Sequence, residues 1–250
     1  MAIALETREL QKRFGGITAV RDVSLRIEPG ARHAMIGPNG AGKTTVIDLL
    51  SGLKRPTSGR ILLEGTDITD LAPHRRTRLG IARTFQINQL FLELTPVESL
   101  GLVISERLGT GTDWWRTAGT NPQIVEEIAG LLESFHLADV GRERAAVLPY
   151  GKQRLLEIAL AVACRPRVLL LDEPAAGVPQ NERGELLATI ASYSDELTIL
   201  LIEHDMDLVF DFAERISVLV NGTVLAEGTA DEIARDPRVK AAYLGEGTGP

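Results

Sequence analysis

Several features that define common classes of protein are scarce in this chain of 250 residues. It has one cysteine, Cys164, so no disulfide can form within it. No apolar run approaches the roughly 20 residues that a membrane-spanning helix needs. The N-terminus also lacks a basic segment followed by an apolar one, so we expect no secretory signal and a cytoplasmic protein.

The charge balance gives no sign of a nucleic-acid partner. The formal net charge is -7 and no long basic run occurs, so we expect no binding to DNA or RNA. Hydrophobic residues make up 44% of the chain and charged residues 24%, which is ordinary for a folded domain with an ample core.

One segment fits the phosphate-loop pattern G-x-x-x-x-G-K-[ST] in full: Gly37-Pro38-Asn39-Gly40-Ala41-Gly42-Lys43-Thr44-Thr45. Glycines let successive backbone N–H groups point inward and form an anion site at the start of a helix. Lys43 supplies a charge for the β- and γ-phosphates, and the Thr44 hydroxyl is a suitable Mg²⁺ ligand. Residues 32–36 read as a strand and 45–50 as a helix, the context that the pattern requires. The alternative is an accidental glycine-rich turn.

A pair of carboxylates follows the apolar run 168–171, which is typical of a buried parallel strand. Ligands gather at the carboxyl ends of such strands. We expect Asp172 to reach Mg²⁺ through water and Glu173 to act as the general base for an attacking water. The alternative is an ordinary polar strand end.

Two further residues end predicted strands. His204 follows the apolar run 198–202, which places it near the same phosphate if the strands share a sheet. Gln86 follows the predicted strand 81–85, and its amide could ligate Mg²⁺ or hold a water. The alternatives are a hydrogen-bonded structural histidine and a solvated loop glutamine.

A second glycine lies near a predicted helix start, within Leu148-Pro149-Tyr150-Gly151-Lys152-Gln153-Arg154. A helix N-terminus is a ready anion site. Because the chain's own phosphate loop already cradles one γ-phosphate, this second site points to the nucleotide of another chain.

The remaining patterns predict three regions. Strands over 4–14, 19–27 and 61–63 indicate a small antiparallel sheet, and a short basic helix spans 73–79. Residues 88–160 read as a helical insert, with helices beginning at a capping box in 95–98, at 121–122 and at 151. The α/β pattern then resumes and ends in a hairpin over 216–226 and a second capping box in 229–232.

The ordered motifs resemble those of ABC transporter ATPase subunits: a Walker A segment at 37–44, the Thr84-Phe85-Gln86 loop, a signature at 148–153, a Walker B segment at 168–173, and His204. The resemblance covers nearly the whole chain. It implies ATP and Mg²⁺ as cofactors and an ABC ATPase fold, an α/β P-loop (RecA-like) core with an antiparallel β subdomain. The core would comprise residues 1–87 and 161–250, and the helical subdomain residues 88–160, within a single domain.

Within that family, the chain is most similar to the ATP-binding subunits of branched-chain amino acid importers. Three segments carry this narrower resemblance: 80–86, 174–177 and 236–245. Importers of urea and amides have similar ATPases and remain an alternative. A third alternative is a soluble ABC ATPase that acts on DNA or in cofactor assembly. The DNA-repair types carry long coiled-coil insertions, whereas only about 60 residues separate Gln86 from the signature here, without sustained heptads.

The resemblance also implies partners. Two ATPase subunits meet head to tail, the second possibly a non-identical paralogue, and each nucleotide lies between one Walker A and the partner's signature. Membrane permease subunits dock near the Gln86 loop and the helical insert on the inner face of the cell membrane, and a solute-binding protein acts indirectly. An aromatic residue stacks on adenine; Phe14 matches that position, with Val20 as its apolar neighbour.

The chain departs from the family pattern at two places. The general signature of the family is Leu-Ser-Gly-Gly-Gln. In this chain Pro149 replaces the serine, Tyr150 the first glycine and Lys152 the glutamine, whereas the second glycine is kept as Gly151. Pro149 lacks a hydroxyl and a backbone N–H. Pro179 stands where the loop after Walker B usually carries Asp or Asn. These departures leave a weakly active, nucleotide-binding regulatory subunit as an alternative function.

Overall fold

A computed structural model describes residues 3–84, 90–109 and 121–244. The chain divides into two compact units. The first comprises Met1–Arg83, Arg167–Glu173 and Ser194–Pro250, and the second comprises Thr84–Pro166 and Pro174–Tyr193. Gln86, a predicted catalytic and metal-binding residue, lies outside the described residues.

All the described strands belong to the first unit. In chain order they are β1 (Leu5–Phe14), β2 (Ile17–Val23), β3 (Arg26–Ile27), β4 (Arg32–Ile36), β5 (Ser58–Leu63), β6 (Thr66–Asp67), β7 (Ile81–Arg83), β8 (Val168–Asp172), β9 (Thr198–Ile202), β10 (Arg215–Val220) and β11 (Thr223–Gly228). Its helices are Lys43–Ser51, Pro73–Leu79, Met206–Phe212, Ala230–Arg235 and Pro237–Leu244.

The strands form two sheets. One is antiparallel, in the order β2-β1-β5-β6 with β3 paired to β1, as the N-terminal patterns predicted. The single strand predicted over 19–27 is divided at residues 24–25 into β2 and β3, which pair with different parts of β1. The predicted antiparallel subdomain is therefore confirmed, with five described strands where the pattern indicated three.

The second sheet has the order β11-β10-β4-β9-β8-β7, and β10, β4, β9, β8 and β7 run parallel. Every residue of β8 and β9 is buried, which explains why both strands are continuous apolar runs in the sequence. The antiparallel β10–β11 hairpin turns at Asn221-Gly222, as predicted.

The second unit is helical in its described part. Its helices are Pro96–Arg107, Pro122–Ser134, Tyr150–Ala163 and Gln180–Ser192, with short 3-10 turns at Ala138–Val140 and Ala145–Val147. The predicted capping box is present: the Thr95 hydroxyl accepts from the Glu98 amide at 3.2 Å, and the Glu98 carboxylate accepts from the Thr95 amide at 2.8 Å. The unit extends beyond the predicted insert 88–160, because helix Gln180–Ser192 packs against helix Tyr150–Ala163.

None of the helices described in these three ranges is both long enough and apolar enough to span a bilayer.

A hydrogen-bond chain that begins at the buried His33 links the three strands at one side of the parallel sheet. His33 Nε2 lies 2.8 Å from Ser217 Oγ, and the Ser217 hydroxyl donates to Glu227 at 3.2 Å. Burial lowers the pKa of His33 to about 4; the Glu227 carboxylate opposes this shift and Arg215 adds to it. The folded protein therefore holds His33 neutral on the strand that leads into the phosphate loop.

This burial predicts a loss of stability in mild acid. The unfolded chain binds a proton at His33 with a pKa of about 6.5, whereas the folded chain does so only near 4. The stabilisation is complete above pH 6.5 and is lost as the pH falls toward 4, up to roughly 3 kcal/mol for the unfolding free energy. Urea unfolding at intervals across this range measures the slope. His33→Asn should flatten it, and equal slopes in the two proteins would contradict the assignment.

Candidate functional site

The phosphate loop follows β4 and ends where helix Lys43–Ser51 begins. A Cβ on Gly37 would lie 2.0 Å from the Leu219 carbonyl oxygen, and one on Gly42 would lie 2.5 Å from the Ala19 carbonyl oxygen. Gly42 is also the residue before the helix, with a φ of 105°. Glycine is therefore required at both positions by close backbone packing, and Gly42 also by its conformation.

Lys43 lies at the first position of this helix, and its side chain turns back into the loop. The buried amine donates to the Gly37 carbonyl at 2.6 Å and to the Pro38 carbonyl at 3.0 Å. These contacts bend the loop around the amine and hold a positive charge on its inner side. A phosphate entering the loop would meet this charge together with the N–H groups of the helix start.

The other residues of the loop differ in exposure. Ala41 is buried, Pro38 and Thr45 are half-buried, and Asn39, Gly40 and Thr44 are exposed. The loop is closed by the Ala41 amide, which donates to the Pro38 carbonyl at 3.1 Å. The exposed Thr44 hydroxyl is thus accessible to a ligand.

The parallel sheet brings the predicted motifs to one edge. Met35 of β4 and Asp172 of β8 both pair with Ile202 of β9. The phosphate loop, Asp172-Glu173 and Glu203-His204 therefore all follow the carboxyl ends of neighbouring strands. This is the common edge that the sequence analysis expected for His204.

Asp172 is the last residue of β8 and is buried. Its Oδ2 accepts a hydrogen bond from Arg83 Nη2 at 2.9 Å. Within the described residues, Oδ1 is buried and has no hydrogen-bond partner. Burial raises the pKa of Asp172, and Arg83 opposes that rise while Glu173 and Asp48 add to it. A buried carboxylate oxygen without a partner is costly, and a cation or its bound water would satisfy it.

The residues present fit a magnesium ion. Thr44 and Asp172 offer two hard oxygen ligands, and Mg²⁺ usually takes only one or two protein ligands and completes its shell with water and substrate phosphates. In the described ranges, no cluster of three or more His, Cys, Asp or Glu could hold a metal without such help. A bound Mg²⁺ would neutralise phosphate charge.

Glu173 follows directly and has an unusual backbone. Its φ is 49°, in the left-handed region that residues other than glycine rarely adopt. Its backbone amide donates to the Ile202 carbonyl at 2.9 Å. Such conformations persist where surrounding structure enforces them and are frequent at functional sites. The half-buried carboxylate stands at the sheet edge, available to orient a water.

His204 is exposed, in contrast to its neighbour. Its Nδ1 lies 3.6 Å from Oε2 of the buried Glu203, and the same oxygen accepts from the His204 backbone amide at 3.2 Å. Glu203 thus anchors the backbone here, and the ring can face a ligand at the sheet edge.

The predicted adenine contacts fall on the antiparallel sheet. Phe14 is 44% exposed, and Lys12 Nζ lies 5.1 Å from its ring centroid. Val20 is fully buried in the core and has no exposed surface to offer a base. Phe14 is therefore the accessible ring, and Val20 supports the strand beneath it.

The signature segment begins helix Tyr150–Ala163 in the second unit, with Pro149 as its N-terminal flank and no side-chain cap. The Tyr150 hydroxyl donates to the Ala176 carbonyl at 3.1 Å, and a Cβ on Gly177 would lie 3.0 Å from the Tyr150 ring. The tyrosine thus packs on the segment that follows Walker B.

The charged groups around this helix start are already engaged. The Lys152 amine donates to the His136 carbonyl and to Asp139 Oδ1, the latter at 3.1 Å. A Cβ on Gly151 would lie 2.9 Å from Glu182 Oε2. Lys152 and Glu182 line a groove of about 390 Å³ together with Glu185. Lys152 is therefore paired with a carboxylate of its own chain, Asp139.

Sequence reasoning missed Arg83, Asp48 and Glu182. Arg83 bridges Asp172 and Asp48, at 2.9 and 2.7 Å. No local pattern marks this contact, since the pairs are 89 and 35 residues apart. The available signal was an arginine inside the predicted strand 81–85, since an arginine that becomes buried requires a charged partner.

Known proteins similar to this chain point to one family. Residues 20–176 match the ABC transporter family, and residues 223–248 match the branched-chain amino acid ATP-binding cassette transporter family. The high-affinity branched-chain amino acid transport ATP-binding protein BraF of Pseudomonas aeruginosa is 43% identical over 97% of this chain and 98% of its own length. LivG of Escherichia coli, of the same description, is 42% identical with the same coverage.

Solved structures agree with this assignment. A nucleotide-free ATP-binding cassette from an ABC transporter superposes with a TM-score of 0.84 at 30% identity, covering all of both chains. An ATP-binding cassette of an ABC transporter in its ADP conformation superposes with a TM-score of 0.83 at 30% identity. The match covers 98% of this chain and 99% of the other. A bacterial ABC transporter cassette solved as a dimer superposes with a TM-score of 0.73 at 25% identity. That match covers 90% of this chain and 98% of the other. The chain belongs to the ABC transporter family of ATP-binding proteins.

Proposed function

We propose that this chain is the ATP-binding and hydrolysing subunit of an importer for branched-chain or related amino acids. The observation that carries the proposal is the shared sheet edge, where the phosphate loop, Asp172-Glu173 and His204 follow adjacent parallel strands. The full-length similarity to BraF and LivG supports branched-chain amino acids as the solute class.

Each residue of the edge has one task in this proposal. Lys43 and the loop amides would hold the β- and γ-phosphates, Thr44 would ligate Mg²⁺, and Asp172 would reach the same ion through water. Glu173 accepts a proton from the attacking water, and His204 contacts the γ-phosphate. Gln86 would join the metal site, and Phe14 would stack on adenine.

The head-to-tail partner completes the site. Pro149, Tyr150, Gly151 and Lys152 would face the nucleotide held by a second ATPase subunit. The dimeric bacterial cassette among the similar structures supports such pairing. The partner is either a second copy or a non-identical paralogue, and the complex would lie on the inner face of the membrane.

An apolar patch supports docking on permease subunits. Phe91, Leu92 and Val147 are exposed. Backbone bonds from Ala146 to Leu92 and from Ala145 to Leu94, at 3.0 and 2.9 Å, hold the two segments side by side. Exposed apolar clusters often mark protein contacts.

A second candidate is a regulatory subunit that binds nucleotide but turns it over weakly. The signature favours it, because Pro149 removes a donor and Lys152 is engaged by Asp139. If the partner is a second copy of this chain, the same altered signature completes the site built on Glu173, and hydrolysis there contributes little to the turnover of the complex.

Replacing the general base tests the main proposal against this alternative. Glu173→Gln in the purified complex should lower steady-state ATP hydrolysis by about half if a non-identical partner supplies an independent second site, and by about 100-fold or more if the two sites are coupled or are both built from this chain. ATP binding should persist. Glu196→Gln, at an exposed turn of the same unit, is the matched control. An unchanged rate with Glu173→Gln would favour the regulatory subunit.

The apolar patch gives a prediction about assembly. The double variant Phe91→Ser, Val147→Ser should reduce copurification of this chain with its permease several-fold, because each serine removes exposed apolar area from the contact. Nucleotide binding by the isolated chain should be unaffected. Val125→Ser changes an exposed apolar residue on another helix of this unit and should copurify normally. Equal recovery of all three proteins would exclude this patch as the docking surface.

The solute class is tested by measuring which solutes stimulate ATP hydrolysis. Vesicles containing the complex and its binding protein should hydrolyse ATP faster with leucine, isoleucine or valine than without solute. Stimulation by urea or a short amide alone would instead assign the chain to an importer of those solutes.

A further inference from the structure

Arg83 occupies an enclosed position between two carboxylates. Its guanidinium donates to Asp172 Oδ2 at 2.9 Å and to Asp48 Oδ1 at 2.7 Å, and only 9% of the side chain is exposed. The Arg83 Nη1 also lies 3.4 Å from Ser51 Oγ. A planar guanidinium with two anchored nitrogens has little freedom to rotate.

The sheet register fixes this contact. Arg83 pairs with Leu170 across β7 and β8, and Asp172 is two residues further along β8. Because side chains alternate along a strand, Leu170 and Asp172 point to the same face. The register therefore brings the arginine beside the carboxylate of the neighbouring strand.

The contact distinguishes the two oxygens of Asp172. Oδ2 is taken by Arg83, whereas Oδ1 is buried without a hydrogen-bond partner among the described residues. A carboxylate free to rotate could exchange the two oxygens. With Oδ2 held, Oδ1 remains the oxygen left for a ligand.

Asp48 holds the arginine from the other side. It lies on helix Lys43–Ser51, which begins with Lys43 and Thr44, and it also pairs with Lys54. Burial tends to raise the pKa of Asp48, but hydrogen bonds from Lys54 and Arg83 outweigh it and lower the pKa. The cations Arg83 and Lys54 thus face the carboxylates of Asp48 and Asp172. Because Arg83 divides its charge between both carboxylates, it orients Asp172 without fully neutralising it.

We propose that Arg83 is a positioning residue that fixes Asp172 with Oδ1 toward the magnesium site and links it, through Asp48, to the helix that carries Thr44. The inference rests on the proposed function. One guanidinium then sets the spacing of the two elements whose oxygens would hold the metal, although Arg83 itself touches neither metal nor nucleotide.

The test measures metal affinity rather than turnover. The purified chain is titrated with Mg²⁺ at fixed ADP, and ADP binding without metal is measured separately by calorimetry in EDTA. Loss of a residue that orients a metal ligand typically weakens metal binding 10- to 100-fold. We expect Arg83→Met to raise the half-saturating Mg²⁺ concentration by about 10-fold or more while metal-free ADP binding is unchanged.

Two milder variants keep the test decisive if Arg83→Met folds poorly. Arg83→Lys keeps the charge but cannot hold both carboxylates in a fixed plane, and Asp48→Asn keeps the shape but weakens the hold on Arg83. Both should raise the half-saturating Mg²⁺ concentration several-fold. The matched control is Arg167→Met, which removes an exposed arginine paired with Glu64 in the same unit. It should leave the half-saturating Mg²⁺ concentration unchanged.

The outcomes separate this inference from the proposed function. If Arg83→Lys and Asp48→Asn fold, bind metal-free ADP normally and require no more Mg²⁺ than the unmodified chain, the positioning role is wrong. If the unmodified chain itself binds no ADP, the proposed function fails instead.

Discussion

The structure depends on parallel hydrogen bonding between β4, β9, β8 and β7. This pairing sets the four carboxyl ends side by side, so segments far apart in sequence meet at one edge. Met35 and Asp172 flank the same residue, Ile202, although 137 residues separate them. The strands β8 and β9 are mainly apolar because every residue in them is buried. The residues that follow them are polar because they lie at the edge of the sheet, where a ligand can reach them.

The loop at this edge is shaped before any phosphate arrives. Lys43 is bound to the Gly37 and Pro38 carbonyls, and Gly37 and Gly42 pack against the backbone of other segments. Because these contacts already fix the loop, little conformational entropy remains to be lost on binding. The same arrangement means that the amine must share its hydrogen bonds between carbonyls and phosphate.

The sequence allowed the fold and the local chemistry to be predicted because both depend on short-range patterns. The two capping boxes, the helix Pro73–Leu79 and the hairpin at Asn221-Gly222 are confirmed, since each depends on residues within a few positions. Contacts between distant residues could not be predicted. The Arg83 bridge and the approach of Glu182 to Gly151 exist only after strands and helices pack, and no periodicity marks them.

The two halves of the proposed composite site differ in how completely this chain supplies them. On the Walker side, the loop, Asp172 and Glu173 are present with a fixed geometry. On the signature side, Pro149 offers no N–H, the Tyr150 hydroxyl is bonded to Ala176, and Lys152 is paired with Asp139. Glu182 adds a negative charge beside Gly151, where a γ-phosphate would approach. A partner with a stronger signature would therefore complete this chain's own nucleotide site better than a second copy of this chain would, which is a physical reason for pairing with a non-identical subunit.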